Sequence, residues 1–253
     1  MAGKLILISG PARSGKSGFG EQLAERYSRE YGAAQAAKKG GGGAPGAEVA
    51  IAGGGIAPGA EAATAGGGTM SEAAIAGGGT MSEADTAAAG AGGGSIIAYL
   101  ATAQALDQEM ERRIAAHRRR RPAAWLTWEE PLWPAAGLRR LYQLGYRVVL
   151  LDCLTLLISN WLCALVTPAA AAQADEAAVL AEIAAPMEEI FAAVDELDEL
   201  TLIAVTNEVG WSLVPENAFG RLYRDVAGRI NCRAAARADQ AWLVVMGLPQ
   251  RLK

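Results

Sequence analysis

An apolar strand that runs straight into Gly10-Pro11-Ala12-Arg13-Ser14-Gly15-Lys16-Ser17 leaves this chain few folds to choose from. The octapeptide matches the phosphate-binding pattern G-x-x-x-x-G-K-[ST] in full. Lys4 to Ser9 reads as a short buried strand, and Ser17 to about Tyr31 reads as a helix with Phe19, Leu23, Tyr27 and Tyr31 on one face. The motif therefore has the strand–turn–helix setting it needs. In that setting the loop N–H groups and the helix N-terminus face the phosphates of a nucleotide, where the helix dipole favours anions. Lys16 is the candidate to neutralise the β/γ region, and the Ser17 hydroxyl is the candidate ligand for Mg²⁺. The plainer alternative is a Gly-rich helix entry that binds nothing.

A strand feeding a helix also constrains the rest of the chain, once low-complexity sequence is set aside. Residues 40–95 hold 19 of the 31 glycines, no aromatic residue and no Lys or Arg. Ala63 to Ala73 recurs, imperfectly, as Ala74 to Ala84. Such a stretch buries too little apolar surface to offset the entropy of ordering it, and two copies cannot stack into a solenoid, so a flexible insertion is expected within about 33–95. The remainder is a comfortable size for one domain, and the whole of 1–253 is expected to be a single domain interrupted by that insertion.

Outside the insertion, strands and helices alternate. Strands are predicted at Ile96–Leu100, Arg147–Asp152, Thr201–Thr206 and Ala241–Met246. Helices are predicted at Thr102–Arg121, about Glu130–Leu144, Leu154–Val166, Glu176–Leu197 and Glu216–Ala238. The alternation implies right-handed crossovers and an α/β fold with a mostly parallel sheet and helices on both faces. Ligands then collect at the carboxyl ends of the strands, where Ser9-Gly10, Ala101-Thr102, Asp152 and Asn207-Glu208 fall.

Charge narrows the function classes. The net charge is −4, and the insertion carries five acidic residues and no basic ones, so the body is near neutral and poorly suited to nucleic acid. One basic cluster stands out: Arg112, Arg113, Arg118, Arg119, Arg120 and Arg121. It reads either as a solvated helix face or as a polyphosphate-binding patch. Cys153, Cys163 and Cys232 lack C-x-x-C spacing, and with no signal-peptide core and no 18-residue apolar run the expectation is a cytoplasmic protein without a transmembrane segment.

Three candidates carry chemistry. Asp152 ends an apolar strand in the manner of a Walker B acid, a metal-holding role, and its alternative role is to cap the helix that begins at Leu154. His117, the only histidine, aligns with Leu106, Met110 and Ile114 and reads either as a packed core residue or, beside the arginines, as a nucleophile at a phosphoryl centre. Asn207-Glu208-Val209-Gly210 either positions substrate, acts as a base, or only shapes a turn. Asp225-Val226-Ala227-Gly228 matches the D-x-x-G of regulatory GTPases, but it falls inside a predicted helix and has no N-K-x-D after it.

The motifs taken in order resemble the bifunctional adenosylcobinamide kinase/adenosylcobinamide-phosphate guanylyltransferase family. The likeness is carried by Gly10–Ser17, Tyr99–Ala103, the run from Asp107 to Arg118 around His117, Leu151–Thr155, Thr206–Gly210, Val214–Asn217 and Asp225–Asn231, over about 1–32 and 96–253. It implies a RecA-like sheet and two reactions: phosphorylation of adenosylcobinamide by ATP or GTP, then transfer of GMP from GTP to adenosylcobinamide phosphate through a guanylylated histidine. The matching histidine is His117. Nucleotide contacts implied by the match are Gly10 to Ser17, Ala101, Thr102 and Ala103, the segment Arg120, Arg121, Pro122 and Ala123, Glu129 and Asp152, with Mg²⁺ on Ser17 and Asp152. Pro11 departs from the Gly frequent there and removes one loop N–H. The family also implies a homo-oligomer, a trimer being the expected form. The alternatives are a phosphate-loop kinase without the guanylyl step, and a GTP-binding regulator.

Replacing residues 40–95 by a short linker is expected to leave a folded, active enzyme, since loop closure entropy varies slowly with length. Circular dichroism and turnover of the shortened protein check this; a folded but inactive product gives the insertion a catalytic part.

Overall fold

The computed structural model describes residues 2–40 and 95–253, so the expectation of a flexible insertion falls largely outside the described residues. The chain forms strand β1 (Lys4–Ser9), helix α1 (Lys16–Gly40), β2 (Ile97–Ala101), α2 (Gln108–Arg120), β3 (Leu126–Glu129), α3 (Pro134–Gln143) and β4 (Val148–Asp152). It continues through α4 (Leu154–Leu165), α5 (Glu176–Glu196), β5 (Thr201–Val205), α6 (Ala218–Arg237), β6 (Gln240–Val245) and β7 (Leu248–Arg251). The strands make one sheet in the order β3-β2-β4-β5-β1-β6-β7. Every neighbouring pair is parallel except β6 with β7. The predicted mostly parallel α/β sheet is the fold observed.

Burial on both faces explains the continuous apolar strands, because alternate residues feed two cores. Leu5, Leu7, Leu100, Leu151 and Leu202 point to the side covered by α3, α4, α5 and α6. Ile6, Ile8, Tyr99, Leu150 and Ile203 point to the side where α1 packs through Leu23, Ala24 and Tyr27. Helix α1 comes close to the strands at Gly20, where a Cβ would stand 2.9 Å from the Leu150 Cδ1. Among the largest buried side chains is Trp161 on α4, fully enclosed, with its Nε1 donating to the Leu132 carbonyl at 2.9 Å.

Three differences from the sequence reading have physical reasons. Helix α2 starts at Gln108, not Thr102, because the Asp107 side chain accepts from the Met110 N–H at 2.7 Å and caps it there. The predicted helix from Glu130 begins only at Pro134, the proline sitting at its first turn, and the residues before it form β3. Strand β7 was not predicted: all four of its residues are exposed, so no alternation marks it, and Pro249 is tolerated because the strand lies at the sheet edge. The D-x-x-G tetrapeptide from Asp225 lies within α6, as expected.

Trp161→Ala removes a fully buried indole and is expected to cost about 3–5 kcal/mol, read as a lower urea midpoint at constant m-value.

Candidate active site

The phosphate loop is shaped by backbone that side chains resist. Gly10 has φ +148°, and a Cβ there would stand 2.3 Å from the Val244 carbonyl oxygen, so β6 packs against the loop only because the residue is glycine. Arg13 and Gly15 also have positive φ, at 58° and 97°. Two backbone bonds hold the loop from neighbouring elements. Glu208 N–H donates to the Gly10 carbonyl at 3.0 Å, and Gly247 N–H, in the β6–β7 turn, donates to the Ser14 carbonyl at 2.9 Å. Helix α1 begins at Lys16, directly behind the loop.

The Lys16 ammonium is buried and donates to the Pro11 carbonyl at 2.6 Å and to Ser14 Oγ at 3.5 Å. It makes no ion pair among the described residues. Burial lowers its pKa from the usual lysine value, with the charges of Asp152 and Glu208 acting in the opposite sense. A buried cation of this kind is a receptor for anionic oxygens. Pro11, whose missing N–H marked it as a departure, supplies its carbonyl to Lys16.

Parallel pairing brings the other candidates to the same level. Glu129 is opposite Ala101, Ala101 opposite Asp152, Asp152 opposite Val205, and Ile8 also opposite Val205. Asp152 does not cap α4; that position belongs to Cys153, which makes no capping side-chain bond. Instead Asp152 Oδ2 accepts from the Tyr99 hydroxyl at 2.7 Å. The Thr102 hydroxyl accepts from the Cys153 N–H at 2.9 Å and donates to its carbonyl at 2.8 Å, locking the chain just past Asp152. Burial pushes the Cys153 thiol up to about 12, so it is not a nucleophile at neutral pH. No group of three or more His, Cys, Asp or Glu side chains could cage a metal among the described residues. A strand-end carboxylate, Asp152, and the Ser17 hydroxyl both line the crevice, a donor set that suits Mg²⁺, which is held by few protein oxygens together with substrate phosphates.

Helix α2 forms the facing wall. Met110, Arg113, Ile114 and His117 share the face that lines a crevice of about 620 Å³, with Arg13, Lys16, Ser17, Ala101, Ala103 and Asp152 opposite. His117 is exposed and lines this space rather than packing in the core. Arg121 stacks its guanidinium 3.4 Å from the Tyr99 ring centroid and donates to Thr127 Oγ1 at 3.3 Å, while its Nε is buried without a partner among the described residues. Arg118 pairs with Glu129 across the end of β3.

Most sequence-predicted site residues thus converge, but not all. Ala12 to Ser17, Ala101, Ala103, Arg121, Glu129, Asp152 and His117 line the crevice. Gly10 and Pro11 shape the loop from behind, Thr102 is fully buried beneath the floor, and Pro122 and Ala123 are not on the wall. The backbone of Arg120 ends α2. Sequence reasoning named Tyr99 only as part of a motif and gave it no contact; a tyrosine two residues before a strand end, on the face shared with the phosphate loop, was the available signal.

The sequence model described as cobinamide kinase / cobinamide phosphate guanyltransferase matches residues 75–252, more than half of the chain. The chain belongs to this family. It is 39% identical over 158 residues to the bifunctional adenosylcobalamin biosynthesis protein CobU of Salmonella typhimurium, covering 62% of this chain and 86% of that protein. It is 41% identical over 162 residues to the CobP protein of Pseudomonas aeruginosa, 63% of this chain and 84% of the relative. To the CobU protein of Escherichia coli K12 it is 36% identical over 168 residues, 64% and 88% of the two chains. The flagellar accessory protein FlaH of Methanocaldococcus jannaschii superposes with a TM-score of 0.37 at 13% identity, covering 100% of this chain and 79% of that one, a likeness too loose to carry an argument. The family match begins after the phosphate loop, which the motif and its geometry identify independently.

Lys16→Ala is expected to weaken triphosphate binding and slow phosphoryl transfer by about 10²–10³, the usual effect of losing one positioned charge contact at a reacting phosphate. Steady-state kinetics with a titrated nucleotide check it, and a normal rate overturns the phosphate-loop assignment.

Proposed function

We propose that both reactions of the family run in the one crevice between the phosphate loop and α2, with His117 as the nucleophile of the second. The chain is an adenosylcobinamide kinase and adenosylcobinamide-phosphate guanylyltransferase of cobalamin biosynthesis, and its nucleoside triphosphates are substrates. The observation that carries the residue-level reading is a single space lined by Lys16, by Asp152 and by an exposed His117.

In the first reaction the loop N–H groups and Lys16 hold the β- and γ-phosphates of ATP or GTP while the acceptor hydroxyl takes the γ-phosphoryl group. Ser17 and Asp152 are the residues to hold Mg²⁺, which when bound neutralises phosphate charge and eases departure of the leaving oxygen. Tyr99 fixes one oxygen of Asp152 and leaves the other for the ion. In the second reaction a nitrogen of His117 attacks the α-phosphorus of GTP. The N–P bond forms, the bond from the α-phosphorus to the bridging oxygen breaks, and pyrophosphate leaves with that electron pair. A phosphate oxygen of adenosylcobinamide phosphate then attacks the same phosphorus and restores the free imidazole. Arg113 and Arg121, on the same wall, supply positive charge to the oxygens that become more negative on the way.

No helix among the described residues is long and apolar enough to cross a membrane; a cytoplasmic location is inferred from the family. A trimeric assembly remains the form inferred from the family.

With Mg²⁺ and α-labelled GTP alone, the wild type is expected to release pyrophosphate and retain GMP as an acid-labile, base-stable adduct. His117→Ala should take no label and lose guanylyl transfer, while phosphorylation of adenosylcobinamide survives. Label retained by His117→Ala, or transfer by the wild type without an adduct, overturns the covalent route in favour of direct attack on GTP.

A further inference from the structure

Glu208 stands just past β5 with its carboxylate anchored through one oxygen only. Ser9 Oγ donates to Oε1, and Asn231 Nδ2 reaches the same atom at 3.5 Å. Oε2 has no partner among the described residues. The anchor is itself well held. Asn231, on α6 and 6% exposed, accepts from Thr206 Oγ1 at 2.7 Å and donates to the Asn207 carbonyl at 3.0 Å. Thr206 contacts Thr155 Oγ1 at 3.3 Å, and Thr155 in turn accepts from the Asn207 N–H at 2.8 Å. This network holds the carboxylate through Oε1 and fixes the backbone that grips the loop at Gly10.

The position suits a base. The Glu208 N–H holds the Gly10 carbonyl at 3.0 Å, its carboxylate accepts from the Ser9 hydroxyl at the foot of the phosphate loop, and the residue before it, Asn207, lines the crevice. Asp152 is engaged by Tyr99 and is the metal candidate, which leaves Glu208 as the uncommitted carboxylate beside the phosphate loop. The strand order also separates the two chemistries. His117 comes after β2, whereas Glu208 lies at the junction of β5 with β1, two strand positions away in the sheet. Directly after Glu208, Trp211, Leu213 and Val214 are 59%, 92% and 63% exposed, which leaves apolar surface on that side for the bulk of an acceptor.

We propose that Glu208 is the general base of the kinase step, accepting at Oε2 the proton of the acceptor hydroxyl. This rests on the functional reading above. As the hydroxyl oxygen bonds to the γ-phosphorus, the bond from that phosphorus to the β,γ-bridging oxygen breaks and its electron pair leaves with the nucleoside diphosphate. The hydroxyl proton passes to Glu208 and then to solvent. Guanylyl transfer makes no such demand, because neither an imidazole lone pair nor a phosphate oxygen has to lose a proton in order to attack. Glu208 therefore serves one of the two reactions.

The test uses the full-length protein and assays the two reactions separately: phosphorylation of adenosylcobinamide, and labelling of the protein by α-labelled GTP. Glu208→Gln keeps an acceptor oxygen for Ser9 and Asn231 but cannot take a proton. It is expected to lower kcat for phosphorylation by about 10²–10⁴ with the KM for triphosphate unchanged, the range typical of a lost general base. Labelling of His117 should stay at the wild-type level, which also shows that the variant is folded. Glu208→Asp, with a carboxylate on a shorter arm, should recover part of the lost rate. Phosphorylation by Glu208→Gln at the wild-type rate overturns the proposal. So does parallel loss of phosphorylation and labelling, which would make Glu208 a support of the phosphate loop. A wild type that takes label but never phosphorylates adenosylcobinamide overturns the functional reading and this proposal together.

Discussion

Everything in the site depends on parallel pairing. In a parallel sheet all strands finish on the same side, and hydrogen-bond register sets how far each one reaches. Here the register leaves Glu129, Ala101, Asp152, Val205 and Ile8 on one line across five strands. A slip of one residue in β4 would turn Asp152 away from Tyr99 and bury its carboxylate in the wrong core. The apolar strands that make the cores are thus also what fixes the spacing of the charged groups above them.

That arrangement places a lysine where water cannot solvate it well. Lys16 is held by a carbonyl and a hydroxyl but by no ion pair among the described residues. Burial works against the charged ammonium and lowers its pKa from the usual lysine value. An incoming polyphosphate supplies the missing anion. Across the crevice the arginines of α2 and of its C-cap divide their work: Arg113 and Arg118 are paired with Glu109 and Glu129, while Arg121 is kept flat on Tyr99, its aromatic support also being the group that orients Asp152.

Much of this was legible in the sequence, for identifiable reasons. Strands β1, β2, β4 and β5 announce themselves because buried parallel strands are continuous apolar runs, and the loop at Gly10 because phosphate binding restricts its residues. Strands β3 and β7 were hidden, being edge strands of four residues with no alternation to detect. Asp152 was recognised as a strand-end acid, but its bond to Tyr99 joins residues 53 apart and no local pattern encodes it. The same holds for Glu208, whose neighbours Ser9 and Asn231 are 199 and 23 residues away. Helix spacing put His117 in line with Met110 and Ile114, yet it could not say whether that stripe faced a core or a crevice; the Asp107 cap, which starts the helix late and leaves Leu106 outside it and 80% exposed, belongs to the answer.

The bond from the Gly247 N–H to the Ser14 carbonyl ties the turn after β6 to the loop that comes after β1. The two partners are separated by nearly the whole chain, and β6 itself pairs with β1. The phosphate loop is therefore completed only when a segment far along the sequence has folded back onto it. The motif is local in sequence while its shape is not: a break in the turn after β6 would loosen the phosphate loop without touching any of its own residues.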